Sequence, residues 1–315
     1  MQNQKLKGKE LIKAEDELLQ YAGADRIVSS RELADELAKT DDSVFIVDTG
    51  IPSLDRILHG VEAGEMIIVT GPTGEGKTTL LMSITKNMAE KALESLWFTL
   101  EVTPRQFLKK LVKANGGDEK KLPHFYIPRA GFDDIDPAYI EKFKQEKRRD
   151  FQMIDWIERK IIEAKVKAES NNRTVKVVFI DHVHSIFSLA KVERNISLEI
   201  GDMVAKIKSM AIEHNITIFL IAHSKDDPMG SARDPRKEDI RDSGLISRLA
   251  DSIIGVWRIP NSDDGHAPRR KVIEDTDNKT KVRVFKNRRE GIMGSFVMYH
   301  HDHYLTEDPF IGTEL

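Results

Sequence analysis

The segment MIIVT at 66–70 runs directly into GPTGEGKT at 71–78, and TTLLMSITKNMA then continues with helical spacing. An apolar strand, a loop with three glycines and a helix opening on Lys-Thr leave few folds open to the chain. Gly71, Gly74 and Gly76 let the backbone curl so that successive N–H groups and a helix N-terminus converge on an anion. In this pattern Lys77 neutralises the β- and γ-phosphates, and the Thr78 hydroxyl ligates Mg²⁺. The loop of Gly71, Pro72, Thr73, Gly74, Glu75, Gly76, Lys77, Thr78 and Thr79 is therefore the candidate nucleotide cradle. ATP and Mg²⁺ are its expected ligands.

The rest of the sequence repeats the same strand–helix alternation. Strands are predicted at 66–70, 95–100, 175–180, 217–222, 252–257 and 281–285, and helices at 77–92, 103–114, 151–169 and 197–214. Several strands are apolar throughout, as strands covered on both faces are. The alternation predicts an α/β fold with a mostly parallel central sheet flanked by helices, and antiparallel strands from Ser252 onward. Residues 1–40 read as a helical linker segment, with one helix at 8–21 and a second opening at Ser29, where Glu32 completes a capping box. Residues 41–315 read as the main domain. The charged stretches 141–150 and 261–280 read as surface loops or insertions.

Composition excludes several functions. Among 315 residues there is no Cys, which removes disulfide frameworks, cysteine nucleophiles and cysteine-ligated zinc modules. Forty-nine Lys and Arg against 52 Asp and Glu give −3, so no global basic field marks a nucleic-acid binder. No apolar run approaches the ~20 residues of a membrane helix. The expected setting is soluble and cytoplasmic, with no membrane partner.

A phosphate cradle needs a carboxylate on the metal side, ending a buried strand. VKVVFIDH supplies Asp181. Hydrolysis needs a base to deprotonate water, and Glu101 ends SLWFTL. Ligands of an open parallel sheet sit beyond the carboxyl ends of its strands, where Lys77, Glu101, Asp181 and His223 all fall. His182, His184 and the group His300, His301 and His303 read as surface or packing histidines, since no matching acidic or thiol partners stand beside them. The run KTKVRVFKNRR at 279–289 holds six cations and no acid. It reads as a solvated edge strand, a nucleic-acid track, or a positive finger reaching a phosphate in an adjacent subunit.

Taken in order, these pieces resemble the RecA-like ATPase core of DnaB-type replicative helicases, a superfamily that includes phage primase-helicases and Twinkle. The resemblance is carried by TGIPSLDRILHG (49–60), GPTGEGKTT (71–79), FTLEVTPRQF (98–107), VVFIDHVHSI (177–186), IFLIAHSKDD (218–227), DIRDSGLISRLADSIIGVWR (239–258) and VRVFKNRREG (282–291). It implies that Glu101 is the catalytic base, Asp181 the magnesium carboxylate and His223 a γ-phosphate sensor. It places Lys225, Arg241, Asp242 and Gly244 on the single-stranded DNA backbone, although Lys225–Arg241 is neutral overall, with five basic and five acidic residues. By the same resemblance Lys286 and Arg288 reach a neighbour's ATP, and Arg258 and Tyr299 sandwich the nucleotide base.

The function implied is ATP-driven unwinding of DNA during replication by a ring oligomer, a hexamer in this family. A separate primase or loader is the implied partner. Two other functions fit the same motifs: a RecA-, RadA- or KaiC-like regulatory or DNA-binding ATPase without unwinding activity, and an accessory loader that uses the ring as a switch.

Overall fold

A computed structural model describes residues 23, 26–39, 45–114, 116–148, 151–182, 196–224, 236, 239, 243–259, 279–301 and 304–308. The chain divides into two compact units, Met1–Phe45 and Ile46–Leu315. The first contains helix α1 (Ser30–Lys39). Its capping box is formed as the sequence predicts: Glu32 N–H donates to Ser29 Oγ, and Ser29 N–H donates to Glu32 Oε2. The helix expected at 8–21 lies outside the described residues.

The second unit runs β1 (Ile46–Val47), α2 (Pro52–Leu58), β2 (Val61–Glu62), β3 (Met66–Gly71), α3 (Lys77–Glu90), β4 (Glu94–Thr99), α4 (Pro104–Ala114), α5 (Pro137–Lys147), α6 (Met153–Glu169), β5 (Val175–Asp181), α7 (Ile196–Glu213), β6 (Thr217–His223), α8 (Ser243–Leu249), β7 (Ser252–Arg258), β8 (Lys279–Asn287), β9 (Gly294–His301) and β10 (Tyr304–Thr306). Eight strands form one sheet in the order β10-β9-β8-β7-β3-β6-β5-β4. Strands β7, β3, β6, β5 and β4 are parallel, whereas β8, β9 and β10 add on antiparallel beyond β7. The mixed sheet is the one the sequence predicts.

Strand β3 is buried along its whole length because helices cover both faces. On one face α6 and α7 pack Ile157, Ile161, Val204 and Ile207 against Ile68, Val178, Ile180 and Leu220. On the other, Trp97, Phe107, Phe179 and Phe219 form a chain of rings with centroids 4.7–5.3 Å apart. The Trp97 indole N–H donates to Thr85 Oγ1 at 3.0 Å, which fixes α3 against these rings.

Two expectations are corrected. Residues 137–147 form α5 rather than a loop. Asp136 caps it by accepting from Ala138 N–H, Pro137 pre-sets its first turn, and Tyr139 and Phe143 lay their rings edge-on to Phe151. The basic strand β8 is no edge strand, because it pairs with β7 on one side and β9 on the other. Its Thr280, Val282 and Val284 are buried, while Lys281 and Arg283 lie over the rings of Trp257 and Phe285. Residues 261–278 lie outside the described residues. Among the described residues, no helix is long and apolar enough to cross a membrane.

Candidate nucleotide site

Parallel pairing sets the geometry of the site. Gly71 stands opposite His223, Thr99 opposite Asp181, and Thr70 opposite Gly255. Lys77, Glu101, Asp181, His223 and Arg258 are thereby delivered to one edge of the sheet from five separate strands. The loop crosses this edge under tight constraint. Gly71 has φ +145°, and a Cβ there would stand 2.1 Å from the Val256 carbonyl oxygen. Arg258 N–H donates to Glu75 Oε2 at 2.6 Å, which holds the loop to the end of β7.

Lys77 is 5% exposed, and its ammonium donates to the carbonyls of Gly71 and Pro72, both at 2.8 Å. Burial lowers its pKa, and the charges of Asp181, Glu101 and Glu75 oppose that shift. A buried ammonium is costly unless it meets an anion, which suits a phosphate site. Thr78 Oγ1 donates to Asp181 Oδ2 at 2.8 Å. Burial raises the Asp181 pKa, against the lowering effect of the Thr78 hydrogen bond. A hydroxyl beside a carboxylate is a hard-oxygen set, as Mg²⁺ requires. The residues present therefore fit both the nucleotide and the metal.

On the outer side, His223 Nε2 lies 3.3 Å from Glu101 Oε1. Burial lowers the His223 pKa, and His182 and Lys77 push it the same way, so the ring is neutral near pH 7. His182 is also in this site. It is buried and its Nε2 contacts the same Glu101 oxygen. Glu101, His182 and His223 place one ligand atom each within 4.8 Å of one another, a set able to hold a dication such as Zn²⁺. From the sequence His182 is a packing residue, because no matching ligand set surrounds it in the chain. The acid comes from the adjacent strand, 81 residues earlier.

A second missed pair is Thr280 and His300. Their side chains meet at 2.8 Å, and the His300 ring lies 3.7 Å from where a Cβ on Gly76 would be. Neighbours on a strand face opposite sides. His300, and not the expected Tyr299, is thus the residue that β9 turns toward the cradle.

Lys286 and Arg288 are at the other edge. Because β8 is antiparallel, Asn287 pairs with Ser252 at the start of β7. Lys286 Nζ donates to the carbonyls of Ser247, Arg248 and Ala250 and so closes the C-terminus of α8. Arg288 bonds Asp251 and the Arg248 carbonyl, yet its side chain remains 53% exposed. The expected pair is thus split: Lys286 is committed to its own helix, and Arg288 faces outward. Gly244 lies in α8, while Lys225, Arg241 and Asp242 lie outside the described residues, as do His184 and His303.

A glycine-rich cradle at the carboxyl ends of parallel strands, with carboxylates from neighbouring strands, defines a P-loop nucleotide-binding fold of the RecA type. The chain belongs to the DnaB-like helicase C terminal domain family, which matches residues 47–307. It is 22% identical over 292 residues to the replicative DNA helicase DnaB of Geobacillus stearothermophilus, covering 86% of this chain and 58% of that protein. The chain thus spans less than two thirds of the length of that relative. A solved DnaB-like replicative helicase, described with its interactions with primase, shares the fold at TM-score 0.60 and 20% identity, over 95% of this chain and 70% of that one. A KaiC-like protein from Pyrococcus horikoshii superposes at TM-score 0.54 and 19% identity, over 84% of this chain and 100% of that one.

Proposed function

We propose that the chain is the ATP-hydrolysing motor of a replicative DNA helicase that moves on single-stranded DNA as a ring oligomer, a hexamer by resemblance. The observation that carries this is the convergence of Lys77, Thr78, Glu101, Asp181 and His223 at one sheet edge, in a chain of the DnaB-like family. Glu101 takes the proton of the attacking water. Lys77 and the loop N–H groups would hold the phosphates, and Thr78 and Asp181 would hold the metal. Mg²⁺ held there would supply neutralisation of phosphate charge. His223, neutral and bonded to Glu101, reads the γ-phosphate and passes its state to the chain beyond β6.

Arg288 is the cation offered to a neighbouring subunit's site, with Lys286 bracing the helix behind it. The loop from Lys225 to Arg241, with Asp242 and Gly244, carries the DNA backbone, and Arg258 flanks the base. A separate primase or loader is the further partner proposed, and a cytoplasmic location fits a replication motor.

Strand displacement on a forked duplex tests the reading. Unwinding with ATP, and none with a non-hydrolysable analogue, is expected. ATP hydrolysis stimulated by single-stranded DNA without any displacement would instead favour a regulatory or DNA-binding ATPase of the KaiC or RecA kind.

A further inference from the structure

We propose that His182 is a positioning residue for Glu101, holding its carboxylate in the orientation that accepts a proton from water. The inference rests on the reading of Glu101 as the base. Neighbouring strands β4 and β5 deliver the two residues together. Thr99 pairs with Asp181, and Leu100 N–H donates to the Asp181 carbonyl at 2.7 Å. Glu101 and His182 therefore leave the sheet side by side.

Their environments differ. The Glu101 side chain is 43% exposed, and that of His182 only 10%. An exposed glutamate samples many rotamers, and a fixed donor selects among them. His182 is fixed by burial and by the His223 ring, whose centroid lies 4.1 Å away in a T-shaped arrangement. A carboxylate only accepts, so His182 Nε2 carries the hydrogen. Among the described residues, both histidine contacts fall on Glu101 Oε1. That leaves Oε2 to face the water, with the carboxylate plane set by two imidazoles.

The test compares wild type, His182→Leu, His182→Gln, Glu101→Gln and the double variant Glu101→Gln/His182→Leu. It reads ATP turnover with single-stranded DNA, ADP affinity and melting temperature. His182→Leu should lower kcat about 10- to 100-fold while KM and ADP affinity stay within about twofold. His182→Gln places an amide N–H near the Nε2 position and should recover most of the rate. The double variant should be no slower than Glu101→Gln alone, because the histidine acts only through the carboxylate.

Wild-type kcat in His182→Leu, with Glu101→Gln inactive, would overturn the inference and leave the base intact. Equal losses in the Leu and Gln variants, with a matching fall in melting temperature, would reduce His182 to packing and also overturn it. Full turnover in Glu101→Gln would remove the base itself, and the inference with it. A wild-type chain unable to hydrolyse ATP would overturn the proposed function and everything resting on it.

Discussion

The Arg288 guanidinium lies 3.2 Å from the Asp251 carboxylate, at the end of β3 opposite Lys77. Asp251 also accepts from Lys208 Nζ at 2.6 Å and from Met66 N–H at 2.8 Å, and its backbone carbonyl accepts from Arg288 N–H at 2.9 Å. One buried carboxylate therefore joins the start of the cradle strand to the outward-facing arginine. Six residues of strand, roughly 16 Å, separate this junction from the phosphate loop. Asp251 thereby ties Arg288 to the start of the strand that ends in the phosphate loop.

Asp251→Ala should destabilise the fold by about 3 kcal/mol, because it strands the Lys208 ammonium and the Met66 N–H near the core. Asp251→Asn keeps an acceptor for Met66 but loses the charge, so it should cost less and still slow turnover by loosening Arg288. Urea unfolding midpoints and ATPase rates of the two variants provide the check. Wild-type stability in Asp251→Ala would show that the junction contributes nothing.

Gly71→Ala should abolish nucleotide binding and cost on the order of 3 kcal/mol in stability. Space and backbone conformation act together here, since a methyl group would meet the Val256 carbonyl and φ +145° is strained for any L side chain. Gly74→Ala is the control. It has φ +82° but nothing within 4 Å of its Cβ position, so backbone strain alone should produce a smaller loss. Calorimetry with ADP separates the two. Equal effects in both variants would mean that the Val256 contact is unimportant.

Features encoded within a few consecutive residues were legible in the sequence. The cradle, six of the seven long strands and the capping box at Ser29 all follow from local pattern. Pairing between distant strands was not legible. The run at 279–289 looks like an edge strand until β9 covers it, and β9 itself escaped because GSFVMYHH shows no clean apolar alternation. Helix α5 reads as a charged loop because its aromatic Tyr139 and Phe143 are spaced among six polar residues, and their partner Phe151 lies beyond the helix end. The same limit hid His182 and His300. Each meets a side chain delivered by another strand, and its own neighbours in the chain do not reveal that partner.

Lys225→Ala and Arg241→Ala should each weaken single-stranded DNA binding to a similar degree on unrelated sequences, and should flatten the dependence of affinity on salt. Cations that contact phosphates release counterions without reading bases. Titrations at several salt concentrations measure both quantities. Unchanged affinity and slope in both variants would move the DNA contact elsewhere on the chain.

Arg288→Ala and Lys77→Ala should each be nearly inactive when pure, and a mixture that allows subunit exchange should regain activity. Within one chain the two residues stand at opposite edges of the sheet, so a single subunit's site cannot use both. A guanidinium supplied across an interface stabilises charge on the transferring phosphoryl group and is worth on the order of 10³–10⁵ in rate. In mixed rings, some interfaces join an intact Lys77 from one variant to an intact Arg288 from the other, and only these turn over. If Arg288 served its own subunit instead, every site in the mixture would lack one group. Labelled subunits confirm exchange, and absence of recovery once exchange is confirmed would sink the assignment. A positive result would also define the order of events around the ring. The Asp251 junction ties Arg288 to β3, so nucleotide entering one cradle would move the arginine that completes the next.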